Sequence, residues 1–243
     1  MMRLPARLTA KLAKVRIAQI FSSARESSLL YCVDPGVILH PGADAPVSRE
    51  KMRELIDNRA PVVWVGGSEP LHHSGVGHFV RAVARGGRFV FLETDGTLLP
   101  RRIHEFQPLP QLFLTVRLRS FEDPGSAFAV EGLRAARLSG FFTAVHSPVH
   151  LEADLVHLSP LRAFLLKNDV DGWLITAGSS DQTIVRKTAE ARILIPSSFW
   201  RQFSEDVEEA LLWQTQAREW KGAQASLTET PHPEAREEGI GIA

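Results

Sequence analysis

The residues of this chain best suited to chemistry cluster where short apolar runs end. In VVWVGGSEPLHH, 62–73, the run stops at Gly66 and Gly67, and Ser68, Glu69 and Pro70 follow. That is the form of a pocket for a small polar ligand at the end of a buried strand, and also of a plain strand-to-helix turn. His72, His73 and His78 lie close enough in sequence to share a zinc ion. No Asp or Cys stands at a spacing that completes the site, so surface or helix-start histidines are the better reading. His146 and His150 flank Pro148 at another run's end, where a histidine can serve as a general base. Arg117 and Arg119 end a further run, suited to an anion contact or to an ion pair with Glu93 or Asp95. The sequence contains no serine-nucleophile elbow, no Walker loop and no GxGxxG fingerprint.

These residues need elements to hold them. Strand-like runs fall at 27–33, 36–40, 61–65, 88–93, 112–118, 141–147, 171–178 and 192–196, the last reading RILIP. Helical spacing falls between them at 48–60, 77–87, 101–106, 127–140 and 158–169. The helix at 48–60 opens on Ser48 with Glu50 in its first turn, and Met52, Leu55 and Ile56 share one face. Short continuous apolar strands alternating with helices mean a parallel sheet with crossover helices. In open sheets and barrels alike, ligands bind at the carboxyl ends of the strands. The loops after Val65, Glu93, Leu118, Ser147 and Ile175 are therefore the place to look.

The bulk numbers fit one globular domain. The 243 residues are 44% hydrophobic and 23% charged, an ordinary globular balance. Lys+Arg and Asp+Glu are 28 each, so no basic excess favours nucleic acid. The single cysteine, Cys32, rules out an intrachain disulfide and a multi-cysteine zinc site, which fits a cytoplasmic protein. It sits in an apolar run and reads as an inert core thiol. No run approaches the roughly 18 apolar residues of a spanning helix. The basic start, 1–26, reads as a helix or arm packed on the domain. Such a segment can touch a membrane surface, but nothing in the pattern argues for that. The stretch 198–222 reads as one long helix with Trp200, Trp213 and Trp220, and the polar 223–243 as a flexible tail.

APVVWVGGSEPLHH, RFVFLETDGTLL and DGWLITAG, in this order and spacing, resemble radical SAM proteins. The nearest branch is the hopanoid-biosynthesis, adenosyl-hopane synthase type. The resemblance runs from about Ser48 to about Gly178. It implies an α/β fold, a partial (β/α)6 barrel over 27–197, and S-adenosylmethionine as cofactor. The loop Gly67, Ser68, Glu69 and Pro70 would meet the methionine amino group, because an ammonium needs acceptors and glycine permits close backbone approach. Ser68 stands where the family usually has a second glycine, which implies a differently shaped loop. Thr94 and Asp95 would lie near the ribose, and Thr176 to Gly178 on the adenosine side.

One departure matters most. The family's Cys-x3-Cys-x2-Cys loop is replaced here by LLYCVDPGVILHPGADAP, with one cysteine inside the first strand. One thiolate cannot do the work of three, so no iron–sulfur cluster and no radical chemistry of the family kind are expected. The leading expectation is a pseudoenzyme: a non-catalytic partner or scaffold of a radical SAM or isoprenoid-lipid enzyme. The alternative is a cluster-free protein or enzyme that binds S-adenosylmethionine or another small polar metabolite in the same pocket.

Overall fold

The structure, a computed structural model, describes residues 5–21, 29–34 and 57–228. Six parallel strands run in sequence order: β1 (Leu30–Val33), β2 (Val62–Val65), β3 (Phe89–Thr94), β4 (Leu112–Arg117), β5 (Phe142–Val149) and β6 (Gly172–Ala177). Helix α1 (Ala6–Phe21) precedes them. Crossovers carry α2 (Val76–Arg85), the short α3 (Leu99–Arg102), α4 (Ser126–Leu138) and α5 (Leu158–Lys167). After β6 come α6 (Gln182–Ala191) and the long α7 (Ser198–Thr228). The sheet curls into a half-barrel, the expected α/β architecture. No helix among the described residues is long and apolar enough to cross a membrane.

The strand residues alternate between two destinations. One register row runs Cys32, Trp64, Phe91, Phe113 and Phe142 across five strands. These side chains face the concave side, where Phe91 and Phe113 stack at 4.5 Å between ring centroids. Helix α7 lies across that side. Trp200 and Phe203 meet Phe91 at 6.2 and 4.9 Å, and both side chains are fully buried. The next residues along each strand, such as Val63 and Val90, are also wholly buried, because α/β sheets are covered on both faces.

A half-barrel has open edges, and an open edge presents unpaired amides and carbonyls. Here the outer edge of β6 is closed by side chains. The Ile175 amide donates to Ser204 Oγ at 3.3 Å, and the Ile175 carbonyl accepts from Arg192 Nε at 3.0 Å. The Ala177 amide donates to Glu208, which also pairs with Arg192. This arrangement explains a correction. The run RILIP, expected as a strand, is instead a 3-10 turn at Arg192–Leu194, with Ile195 buried behind it. With the β6 edge already occupied, its backbone has no strand to pair with.

The other expected elements lie within a few residues of their predicted limits. Strand 27–33 is observed as Leu30–Val33, and β5 runs on through Pro148 and Val149. Helix α7 continues to Thr228, past the start expected for the tail, and 229–243 lies outside the described residues. So do the run at 36–40 and nearly all of the helix expected at 48–60.

The seam between α7 and β6 depends on one missing side chain. A Cβ on Gly172 would come within 2.4 Å of the buried Trp200 ring. Gly172→Ala should therefore destabilise the fold by about 1–3 kcal/mol, read from denaturant melts. Adding Trp200→Phe should make the combined loss smaller than the sum of the two single losses. Strict additivity would mean that the two residues do not pack as described.

Candidate functional site

The ends of the strands gather a group of charged and polar side chains at the mouth of the half-barrel. Glu69 lies in the loop after β2 and caps the 3-10 turn Pro70–His72, accepting from the Leu71 amide at 3.0 Å. The same carboxylate accepts from Thr94 Oγ1 at 2.7 Å and from the Asp95 amide at 2.9 Å. The β2 loop is thus clamped to the turn after β3. Thr94 in turn accepts from the Gly96 amide at 3.1 Å, and Asp95 Oδ1 accepts from the Thr97 amide at 2.8 Å. Three of the residues singled out in the sequence form one hydrogen-bonded unit.

The loop itself is shaped by Gly67 and not by position 68. Gly67 has φ of 102°, where a side chain would be strained, and a Cβ there would lie 2.8 Å from Asp34 Oδ2. Ser68 is not among the positive-φ residues. It needs no glycine, and its amide donates to Asp34 Oδ1 at 3.3 Å. Pro70 is buried at the start of the 3-10 turn, where a missing amide hydrogen costs nothing.

Below this clamp lies a buried relay. Glu93, on β3, accepts from Arg117 Nε at 3.1 Å and meets His146 Nδ1 at 2.6 Å. His146 Nε2 meets Thr176 Oγ1 at 2.8 Å. The imidazole also stands edge-on to Trp64, 5.4 Å between centroids. Glu93, His146 and Thr176 are all buried, so β3, β4, β5 and β6 are joined at their carboxyl ends through side chains as well as backbone. Burial alone would raise the Glu93 pKa, but the His146 and Arg117 interactions outweigh it and hold the carboxyl at about 2. Arg117 also feels the charges of Glu69 and Asp95, which places all four groups in one electrostatic neighbourhood.

Gly178 lies to one side of this group. Its amide donates to the Val149 carbonyl at 2.8 Å, and the His150 ring packs where its Cβ would be. Thr176 joins the mouth through His146. His72 and His78 are exposed and His73 half-buried. Among the described residues no group of three or more His, Cys, Asp or Glu side chains is placed to hold a metal. Cys32 sits within β1 beside Trp64, half-buried. As the chain's single thiol, it does not fit the three-thiolate requirement of a [4Fe–4S] cluster.

Sequence reasoning treated Glu93 only as one partner for Arg117 and missed its place at the centre of the relay. A signal was present. FVFLET, LFLTVR and FTAVHS each carry one ionisable residue near the carboxyl end of an otherwise apolar strand.

Solved structures share this fold. Streptococcus suis SuiB bound to S-adenosylmethionine aligns with a TM-score of 0.55 and 12% identity, over 76% of this chain and 46% of that one. SuiB bound to its precursor peptide SuiA aligns at 0.51 and 14%, over 77% and 47%. Archaeal TYW1 aligns at 0.41 and 13%, over 78% and 64%. The chain spans just under half the length of the SuiB chains. No protein-family model and no curated protein sequence matches it. The fold is a partial barrel of the radical SAM type.

The relay makes a prediction about acid. Glu93 titrates at about 2 in the folded protein against an ordinary 4.5. A depressed carboxyl stabilises fully above its unfolded value, and the contribution disappears as pH falls through the folded one. Glu93→Gln should cost roughly 3 kcal/mol near pH 7 and much less near pH 2. Urea melts at the two pH values check this, and an equal cost at both would mean that Glu93 is not held ionised.

Proposed function

We propose that this protein binds S-adenosylmethionine, or a cationic metabolite with the same amino-acid end, in the mouth of the half-barrel, with no iron–sulfur cluster on its own chain. The observation that carries this reading is the charge of the mouth. Among the described residues Glu69, Glu93 and Asp95 face one arginine, Arg117, so their balance is acidic. S-adenosylmethionine carries a sulfonium and an ammonium against one carboxylate. An acidic, partly desolvated mouth favours that net positive charge. The SuiB structure bound to the same molecule supports the choice, since its fold is shared.

Each residue then takes a role. Asp95 is exposed, and among the described residues its carboxylate accepts one bond, from the Thr97 amide, which leaves oxygen positions open, so it is the group to meet a ligand cation directly. Glu69 holds the two loops in register. Arg117, part-exposed at the end of β4, would meet the ligand carboxylate. Thr176 and Gly178 form the β6 side, suited to the nucleoside. S-adenosylmethionine would supply an activated sulfonium. The chain's own groups bind and orient it, and no residue here delivers an electron to it.

A second reading makes the protein a non-catalytic partner of a radical SAM or lipid-biosynthesis enzyme. It is favoured by Trp213, which lies on α7 with 72% of its surface exposed. Failure to recover a stoichiometric complex from native cells would remove its support.

Calorimetric titration of the purified protein separates the two. S-adenosylmethionine should bind with micromolar affinity. S-adenosylhomocysteine, which lacks the sulfonium charge, should bind about tenfold more weakly, as should S-adenosylmethionine to Asp95→Asn. No detectable binding at millimolar S-adenosylmethionine would overturn the binder reading and leave the partner reading.

A further inference from the structure

The end of the half-barrel opposite the mouth carries the opposite charge. Parallel strands put all their amino ends together, and α1 is fastened to that end. Lys11 Nζ donates to the Gly87 carbonyl just before β3 and stands 5.8 Å from the centroid of the Phe89 ring. Leu8 and Leu12 are buried in the core, so one face of α1 is fixed against the barrel. The face left outside is basic. Arg7, Lys11 and Lys14 recur at i, i+4 and i+7, all exposed, and the 16 residues of α1 include no acid.

The segments leading into the strands extend this patch. Arg59 precedes β2, Arg85 closes α2 before β3, and Lys167 closes α5 before β6, all three exposed. In α1 and the described segments entering β2 to β6, the acids are Asp57, Asp169 and Asp171. Asp57 is exposed, Asp169 lies 3.9 Å from Arg137, and Asp171 is buried against Thr143. Glu190, near the end of α6 beyond β6, bounds the surface. The chain as a whole is neutral, so the attraction this face exerts comes from where its charges sit.

Helix dipoles explain part of the pattern. Arg85 and Lys167 lie in last turns, where a cation offsets the partial negative charge of the free carbonyls. Arg7 does the reverse. It sits in the first turn of α1, where the dipole disfavours a cation. Two leucines stand among the cations. Leu138 ends α4 with 80% of its surface exposed, and Leu166 in the last turn of α5 is 44% exposed. One exposed leucine is ordinary. Two on neighbouring crossovers, at the same end as a basic helix with one buried face, make a surface that suits a lipid headgroup layer. A nucleic acid would use the cations and leave the leucines without a role.

We propose that this amino-end face docks on a bilayer containing anionic phospholipid, its cations against the headgroups and Leu138 and Leu166 within the headgroup layer. The acidic mouth, at the carboxyl ends of the strands, then opens away from a surface of like charge. The docking does not depend on what the mouth binds.

Sedimentation of the full chain with vesicles tests this. Vesicles of phosphatidylglycerol and phosphatidylcholine in equal parts should carry the protein down at low salt, pure phosphatidylcholine should not, and added salt should release it. Arg7→Gln, Lys14→Gln and Arg85→Gln should each weaken binding about fivefold. Leu138→Ser should weaken it about tenfold. All four positions are exposed, so the variants keep the fold. Lys187→Gln removes the same charge beside Glu152 at the mouth end and should change nothing. The proposal is overturned by no sedimentation with the anionic vesicles, by binding unchanged in the four variants, or by equal weakening in Lys187→Gln. Capture of duplex DNA without sedimentation on vesicles would overturn it as well.

Discussion

An ionised carboxylate under a barrel mouth constrains everything around it. Removing Glu93 from water costs several kcal/mol unless partners replace the lost hydration. Those partners, Arg117 and His146, come from the next two strands, and they reach Glu93 only in the register observed. A slip of one residue would turn Glu93 to the outer face and leave the arginine and histidine unmatched. The same carboxylate limits the β2 loop, because a Cβ on Gly66 would come within 2.5 Å of Glu93 Oε2. So the path of the loop carrying Glu69 is set from below by a charge on another strand.

The concave side divides into two zones. Toward the amino ends of the strands, stacked aromatics and α7 make a dry floor. Toward the carboxyl ends, the row changes to Glu93, Arg117, His146 and Thr176. Trp64 belongs to both, stacking near Phe91 on one side and meeting the His146 ring on the other. The floor keeps water from the relay on its lower side, which strengthens the ion pairs above it. Helix α7 therefore does two jobs. It closes the exposed edge of β6, and it supplies the low-dielectric base on which the polar mouth rests.

Much of this was legible in the sequence because it depends on local pattern. Continuous apolar strands between amphipathic helices announced a parallel sheet with crossover helices, the family resemblance implied its closure to a half-barrel, and Gly-Gly-Ser-Glu-Pro announced a loop that bends closely around something. What it bends around was not legible. Gly67 approaches Asp34 and Gly66 approaches Glu93, contacts set by strand pairing across 33 and 27 positions. The strand expected at 192–196 failed for a related reason. Its apolar residues look alike in a strand or a buried turn, and only the side chains covering the β6 edge decide between them. The relay required register, which no single strand contains.

The mouth's carboxylates differ in how much of each remains for a ligand. A carboxylate offers about four acceptor positions. Glu69 has three of them filled by Leu71, Thr94 and Asp95. Glu93 is buried against Arg117 and His146. Asp95 holds one bond among the described residues and faces solvent. Contact and field therefore belong to different residues. Glu69 and Glu93 give the mouth its negative potential while their geometry is held by the protein, which avoids the entropy of ordering them around a ligand. In the proposed binding mode Asp95 is the residue that would meet the ligand within that potential. A site built this way favours a class of charge before it favours a shape. Shape must then come from the loops around it, and the two glycines beside Glu69 let the β2 loop lie as close as backbone can come.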